Sequence, residues 1–83
     1  MNEKSDYYWV IYNDSSFSED FHARKYYRAG GQVHTTNEIM MARYLHLMRS
    51  SLRRKGYIRC KRNRRFPGTN VVEVWKNLPT ADI

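Results

Sequence analysis

The sequence contains only one cysteine and no long apolar run, which argues against a disulfide-linked secreted domain and against a membrane-spanning protein. Cys60 has no second cysteine to pair with, so an internal disulfide is excluded. Secreted domains this small usually depend on several disulfides, and the opening MNEKSDYYWV lacks the apolar core and cleavage pattern of a signal peptide. No segment approaches the roughly 18 apolar residues of a membrane span. We therefore expect a cytoplasmic protein, of a bacterium or of a virus-infected cell, that does not enter membranes.

The residue patterns of catalytic and metal sites are missing as well. The three histidines have no metal-ligand spacing with one another or with Cys60. Nothing marks a base or an oxyanion hole for Ser50 or Ser51, and there is no glycine-rich phosphate loop. Of the eight acidic residues, four precede residue 20, which disfavours a two-metal nuclease. We expect no enzymatic activity, no metal and no cofactor.

Acidic residues are absent from the whole stretch between Glu38 and Glu73, residues 39–72, which we name the acid-free segment. The chain has a net charge of +7, with fifteen Lys and Arg, and ten of these cations lie in this segment. Soluble surfaces normally intersperse both signs, so this asymmetry is typical of a polyanion-binding protein. Arginine outnumbers lysine in the segment, and arginine suits bidentate contacts with phosphate or guanine.

The length of 83 residues fits one domain, with residues 1–6 and 79–83 expected as frayed tails. A domain of this size has a thin core, which leaves a homodimer as an open alternative. Its many aromatic residues argue against disorder. The stretch YYWVIY, residues 7–12, is aromatic and β-branched and predicts a strand, with Trp9 and Ile11 on one face.

A first helix is predicted over residues 17–29. Ser18 is placed to cap it, acidic residues follow at its beginning, and basic residues lie towards its end. Gly30 and Gly31 then end the helix, since glycine adopts the left-handed conformation common after a last helical turn. Residues 32–34 are expected to form a very short strand.

A second helical region is predicted over residues 36–55. Thr35 and Glu38 have the spacing of a capping box, and Gly56 is placed to end the helix. Apolar residues recur at helical intervals within it: Met41, Leu45, Met48 and Leu52. Whether residues 36–55 form one helix or a helix-turn-helix stays open.

The face of this helix opposite the apolar stripe is predicted to bind nucleic acid. It carries Arg43, His46, Arg49, Ser50, Arg53 and Arg54, with Lys55 beside them. Arg49 and Arg53 are like charges four residues apart, which repel by a few tenths of a kcal/mol. We expect a ligand to supply their counter-charge.

A β-hairpin with a basic loop is predicted for residues 57–75. Its loop would extend the binding surface through Arg59, Lys61, Arg62, Arg64 and Arg65. Phe66 lies beside these cations, and two alternatives are open for it. It folds back on the hairpin, or it inserts against a base step as in some minor-groove binders.

Two stretches carry a resemblance to a known family. Residues 30–39, GGQVHTTNEI, look like a passage from a first helix through a short strand into a second helix. Residues 52–58, LRRKGYI, look like a recognition helix that leads into a wing. In these stretches the chain resembles the winged helix-turn-helix family of DNA-binding domains. The resemblance implies an α+β, winged-helix-like domain of order β-α-(short β)-α(-α)-β-β, with the recognition helix in the major groove and a basic hairpin wing on flanking DNA.

These features together predict a small basic DNA-binding protein, a transcriptional regulator or a phage or plasmid accessory protein. The partner expected first is double-stranded DNA, and RNA is not separated from DNA by the sequence. The alternative is a protein-binding module, such as a virus-encoded inhibitor that docks its basic surface on an acidic partner protein.

Overall fold

The computed structural model describes residues 6–13, 20–61, 66 and 70–77. The strands are β1 (Asp6–Asn13), β2 (Phe21–Ala29), β3 (Gln32–Ala42), β4 (Tyr57–Arg59) and β5 (Val71–Asn77), and the helix is α1 (Leu45–Arg54). The strands form one sheet in the order β3-β2-β1-β5-β4, with antiparallel neighbours throughout. In the described part of the chain, no helix is long and apolar enough to cross a membrane.

The strand predicted from YYWVIY is confirmed as β1, at the centre of the sheet. Trp9 and Ile11 pack against the helix with Met48 and Leu52. Alternate residues of the strand point to the opposite face and form a second core cluster: Tyr8, Val10 and Tyr12, with Tyr26, Phe66 and Val74. The sheet is therefore covered on both faces, which explains why no residue from 8 to 12 is exposed.

The helix predicted over residues 17–29 is wrong for its described part, because residues 21–29 form β2. Pairing with β1 is continuous from Asp6↔Arg28 to Asn13↔Phe21. This long-range ladder stabilises an extended conformation that the local charge pattern did not indicate. The proposed cap at Ser18 lies outside the described residues.

Gly30 and Gly31 form the turn of the β2–β3 hairpin and do not end a helix. Their φ angles are +61° and +77°, and positive φ at both central residues is characteristic of the two-residue type I′ turn. Such a turn matches the right-handed twist of the flanking strands. The left-handed conformation predicted for these glycines is therefore present, but it belongs to a hairpin turn.

The second helical region is also corrected, since residues 32–42 form β3 and α1 begins only at Leu45. The capping box at Thr35 is therefore wrong. The Oγ1 atoms of Thr35 and Thr36 instead accept hydrogen bonds from the backbone N–H groups of Asn37 and Glu38, at 3.1 and 3.2 Å. These contacts stabilise an irregularity of β3, in which three residues, 36–38, lie opposite a single residue of β2. Asn37 has a φ of +70° there, which asparagine tolerates better than most residues.

Helix α1 is short and packs on one face of the sheet. Its residues Met48 and Leu52 are buried against the sheet, as the helical spacing predicted. Met41, the first residue of the predicted apolar stripe, belongs to β3 and is about half exposed. The helix ends where predicted, with Gly56 at a φ of +90°. With one helix and no helix-turn-helix among the described residues, the winged-helix architecture is wrong, and the fold is a five-stranded antiparallel sheet covered by a single helix.

The predicted hairpin is confirmed in its two strands, β4 and β5. Tyr57↔Asn77, Ile58↔Lys76 and Arg59↔Trp75 are its paired residues. The predicted loop residues Arg62, Arg64 and Arg65, and the predicted tail 79–83, lie outside the described residues, while Asp6 of the predicted N-terminal tail belongs to β1.

The hairpin turn gives a stability prediction. Gly30→Ala is expected to lower the free energy of unfolding by about 1 kcal/mol, because alanine is strained at positive φ. Space is not limiting, since no heavy atom lies within 4 Å of an added Cβ. Gly30→Asn serves as the control and should be close to wild type, because asparagine suits the first position of this turn. Urea denaturation followed by tryptophan fluorescence measures both, and equal losses for Ala and Asn would contradict the assigned turn.

Candidate nucleic-acid interface

The structure places most described candidate residues along α1 and the strand that follows it. Arg43 lies in the bend before the helix, Lys55 at its C-terminal cap and Arg59 in β4. We name the exposed members of this group the basic surface: Arg43, His46, Ser50, Arg53, Arg54, Lys55, Arg59 and Lys61. Two candidates differ, because Arg49 is only partly exposed and Phe66 is buried.

Arg49 is held by a buried carboxylate of the sheet. Its Nε donates hydrogen bonds to both oxygens of Glu73, at 3.2 and 3.0 Å, and its Nη2 also contacts Oε2. Trp75 Nε1 donates to Oε1 of the same carboxylate at 3.0 Å, and Arg59 Nη1 lies 3.4 Å from Oε2. The Glu73 side chain is 1% exposed. One buried acid thus connects α1, β4 and β5.

The Glu73 side chain is ionised although it is buried. Burial alone would raise its pKa, but hydrogen bonds from Arg49 and Trp75, together with the positive charges of Arg49 and Arg59, lower the pKa below its ordinary value. The hydrogen bond to Glu73 in turn raises the pKa of Arg49. The pair is therefore ionised at neutral pH and joins the helix to the sheet.

This arrangement corrects the expected repulsion between Arg49 and Arg53. Glu73 supplies the counter-charge of Arg49, so no ligand is needed there. The guanidinium of Arg53 lies over the ring of Trp75, 5.6 Å from its centroid, which is a favourable cation–π position. Both partners come from β5, outside the acid-free segment, so local charge spacing could not reveal them.

The rest of the basic surface keeps its excess charge. Within the described residues, no carboxylate lies within ion-pair distance of Arg43, Arg54, Lys55 or Lys61. Two other described acids form ion pairs away from this surface, Glu38 with Lys25 and Asp6 with Lys76. These four cations, on or next to α1 and after β4, thus have no described acid to compensate them on the surface that covers one face of the sheet.

Phe66 lies in the second core cluster and not at an exposed loop tip. Its ring centroid is 5.2 Å from that of Tyr8 and 5.5 Å from that of Tyr26, and the residue is 8% exposed. Of the two alternatives, the structure shows Phe66 folded back on the sheet. It covers the face opposite α1, where Cys60 and Val71 also pack.

The sequence interpretation missed Glu73 and Trp75 as contributors to this region. The signal was present, since alternation along β5 puts both side chains on one face and a lone acid within VVEVW requires a partner. The structure also shows an apolar groove of about 450 Å³ between the end of β3 and α1, lined by side chains such as Met40, Leu47 and Met48. Among the described residues, no His, Cys, Asp and Glu cluster could hold a metal ion.

Replacing Glu73 tests its role in stability. Glu73→Gln removes the charge partner of Arg49 and is expected to lower the free energy of unfolding by about 2 kcal/mol at pH 7. Because the pKa of Glu73 is lower in the folded protein, the wild type keeps this contribution above the unfolded pKa of about 4.3 and loses it as the pH falls further. Urea titrations at pH 7 and pH 3 should therefore show a difference between wild type and variant that shrinks in acid.

Asp6→Asn is the matched control for this variant. Asp6 is 47% exposed and lies 3.8 Å from Lys76, so its replacement should change stability by less than about 0.5 kcal/mol. An equal effect of both variants, or a pH-independent effect of Glu73→Gln, would contradict the assigned role.

Replacing Phe66 separates core packing from contact with a ligand. Phe66→Ala should lower the free energy of unfolding by about 3 kcal/mol because it leaves a cavity between Tyr8 and Tyr26. Phe66→Leu should cost only about 1 kcal/mol, since it retains most of the buried volume. Thermal and urea denaturation measure both, and an Ala variant of wild-type stability would show that the side chain does not pack there.

Comparisons with known proteins identify no relative of this chain. No protein-family model, no curated protein and no solved structure matches it. The geometry and charge of the described residues are therefore the basis on which a function is inferred.

Proposed function

We propose that the protein binds double-stranded DNA through the basic surface. The observation that carries this proposal is a group of exposed cations around α1 and after β4, Arg43, Arg54, Lys55 and Lys61, that have no described carboxylate within ion-pair distance. They lie next to a buried acid whose charge is already matched by Arg49 and Arg59. A phosphate backbone supplies the missing negative charge, and release of its counterions supplies much of the binding free energy.

The shape of the surface supports a duplex partner. Helix α1 has ten residues, about 15 Å in length, and an exposed helix fits the major groove of B-DNA, which is about 12 Å wide. His46, Ser50 and Arg53 would lie towards the base edges, and Lys55 and Arg59 towards phosphates of the flanking backbone. The deep, narrow major groove of A-form RNA does not admit a helix in this way, which favours DNA over double-stranded RNA.

Arg49 has a different role in this proposal from the one its sequence position indicated. Held by Glu73, it positions α1 on the sheet and contributes little free charge to a ligand. Arg53, fixed over Trp75, is the arginine best pre-organised for a base or phosphate contact. We place such a protein in the cytoplasm, as a small regulator or a phage or plasmid accessory protein.

Salt dependence is the primary test of DNA binding. If about six phosphates are neutralised, the logarithm of the association constant should fall with the logarithm of salt concentration with a slope near −5. Fluorescence anisotropy with a labelled duplex from about 50 to 300 mM salt measures it. A flat response, or tight binding to an acidic protein with none to DNA, would reject the proposal in favour of a protein partner.

Charge removal at two places tests where the DNA lies. The double change Arg54→Gln with Lys55→Gln should weaken binding to all duplexes and make the salt slope shallower by about 0.9 for each phosphate that is no longer neutralised. Lys76→Gln is the control, since its ammonium group lies near the Tyr8 ring on the opposite face of the sheet. Equal weakening by the control would show that net charge alone, and not this surface, governs binding.

A further inference from the structure

A row of polar aromatic side chains crosses three strands on the face of the sheet that carries α1. Tyr7 of β1 pairs with Tyr27 of β2, and Tyr27 pairs with His34 of β3. Tyr7 continues the alternation of Trp9 and Ile11, which places all three rings on the helix side. The ring centroids of Tyr7 and Tyr27 are 6.2 Å apart, and those of Tyr27 and His34 are 5.1 Å apart. We name these three residues the aromatic row.

Helix α1 does not cover the aromatic row, because it crosses the sheet diagonally. It begins just after the end of β3 and leads into Tyr57 at the start of β4. Tyr57 pairs with Asn77, whose side chain accepts a hydrogen bond from the backbone N–H of Tyr7. The helix thus ends at the same end of the sheet as the row, but over the other edge. The core cluster under the helix does not include the three rings, and each residue of the row is only partly buried.

An unpaired cation borders the corner between the helix and the aromatic row. Ser51 Oγ donates a hydrogen bond to Met40 Sδ at 3.6 Å, so this side of α1 faces β3. Lys55 follows one turn later with a helical backbone, which places it on the same side and nearer the row. Lys55 is exposed, and no described carboxylate lies within ion-pair distance of it.

The acid closest to the row along β3 is already matched by a cation. Glu38 lies 3.4 Å from the ammonium group of Lys25. That group also lies 4.7 Å from the centroid of the Tyr7 ring, a cation–π contact that helps to fix the ring. The corner therefore combines positioned aromatic rings with a positive border.

We propose that the aromatic row binds unpaired bases of a DNA strand. Aromatic side chains bind single-stranded nucleic acid by stacking on its bases, while neighbouring cations contact its backbone. Charge favours this ligand over an uncharged one, because Lys55 and the adjacent Arg54 lack a described acid and are placed to contact phosphate. This assignment rests on the proposed function, since Lys55 belongs to the basic surface and also borders the row. The ligand is thus a duplex on the basic surface with a single-stranded extension that reaches the row.

Fluorescence anisotropy with labelled DNA tests this site. The probes are a blunt duplex, the same duplex with an extension of about eight thymidines, the same extension with abasic sites in place of its bases, and the free thymidine oligonucleotide. Extensions at the 5′ and the 3′ end are both measured. We expect the thymidine extension of one polarity to raise the affinity at least about fivefold over the blunt duplex. The abasic extension carries the same phosphates and should raise it much less.

Variants of the row locate the contact. His34→Thr removes one ring and suits an edge strand, because threonine is β-branched. It should reduce the gain from the thymidine extension to less than half and leave the affinity for the blunt duplex unchanged. Tyr27→Phe keeps the ring and should keep the gain. Tyr44→Thr is the matched control, since Tyr44 is an aromatic residue with 55% exposure outside the row, and its gain should equal that of the wild type. Circular dichroism confirms that all three variants are folded.

Several results would overturn this site. Equal gains from the thymidine and abasic extensions would show a phosphate contact without stacking. No gain at either polarity, a wild-type gain in His34→Thr or an equal loss in Tyr44→Thr would exclude the row. Self-association of the DNA-free chain that His34→Thr abolishes in sedimentation would assign the row to a second copy. Blunt-duplex binding without a gain would leave the proposed function standing, whereas binding of the free thymidine oligonucleotide without duplex binding would do the reverse.

Discussion

The ion pair between Arg49 and Glu73 is the interaction on which the arrangement of this small sheet and its helix depends. A carboxylate with 1% exposure is stable as an anion only when several donors surround it, and these come from α1, β4 and β5. The same contact therefore fixes the helix on the sheet and the short edge strand beside it. It also keeps Arg49 out of the basic surface, where Arg43, Arg54, Lys55 and Lys61 have no described carboxylate within ion-pair distance.

A thin core explains how the remaining faces are organised. Helix α1 covers one face of the sheet, where Trp9 and Trp75 provide most of the buried aromatic volume. No second helix of the described chain covers the other face, and Phe66 and Cys60 from the connection between β4 and β5 pack there. The basic connection between β4 and β5 thus contributes buried side chains to the core in addition to its positive charge. When a mutation in this connection weakens ligand binding, its effect on the stability of the fold must be measured before a contact with the ligand is inferred.

The sequence predicts the parts of the fold whose signal is local. The strand β1 follows from its aromatic and β-branched residues, and the two strands of the last hairpin follow from similar runs. The strands β2 and β3 do not follow from local signals. Acids at positions 19 and 20 precede the bases at 24–28, which gives residues 17–29 a helix-like charge order. Residues 21–29 become a strand only through pairing with β1. The basic surface was visible as the acid-free segment, but the pairing of Arg49 with a residue 24 positions away was not. The conformation of residues that depend on long-range pairing cannot be predicted from local sequence patterns.

The order of the strands has a consequence for synthesis on the ribosome. The central strand β1 is made first, yet one of its two neighbours, β5, is made last, and the backbone N–H of Tyr7 reaches the side chain of Asn77 at 3.0 Å. The three-stranded meander of β1, β2 and β3 can form while the rest is still being translated. The Trp9 side chain becomes fully covered only after Trp75 has been synthesised and packs beside it. Until that moment the nascent chain exposes an aromatic strand edge, so chaperone contact and premature association are most relevant in this interval.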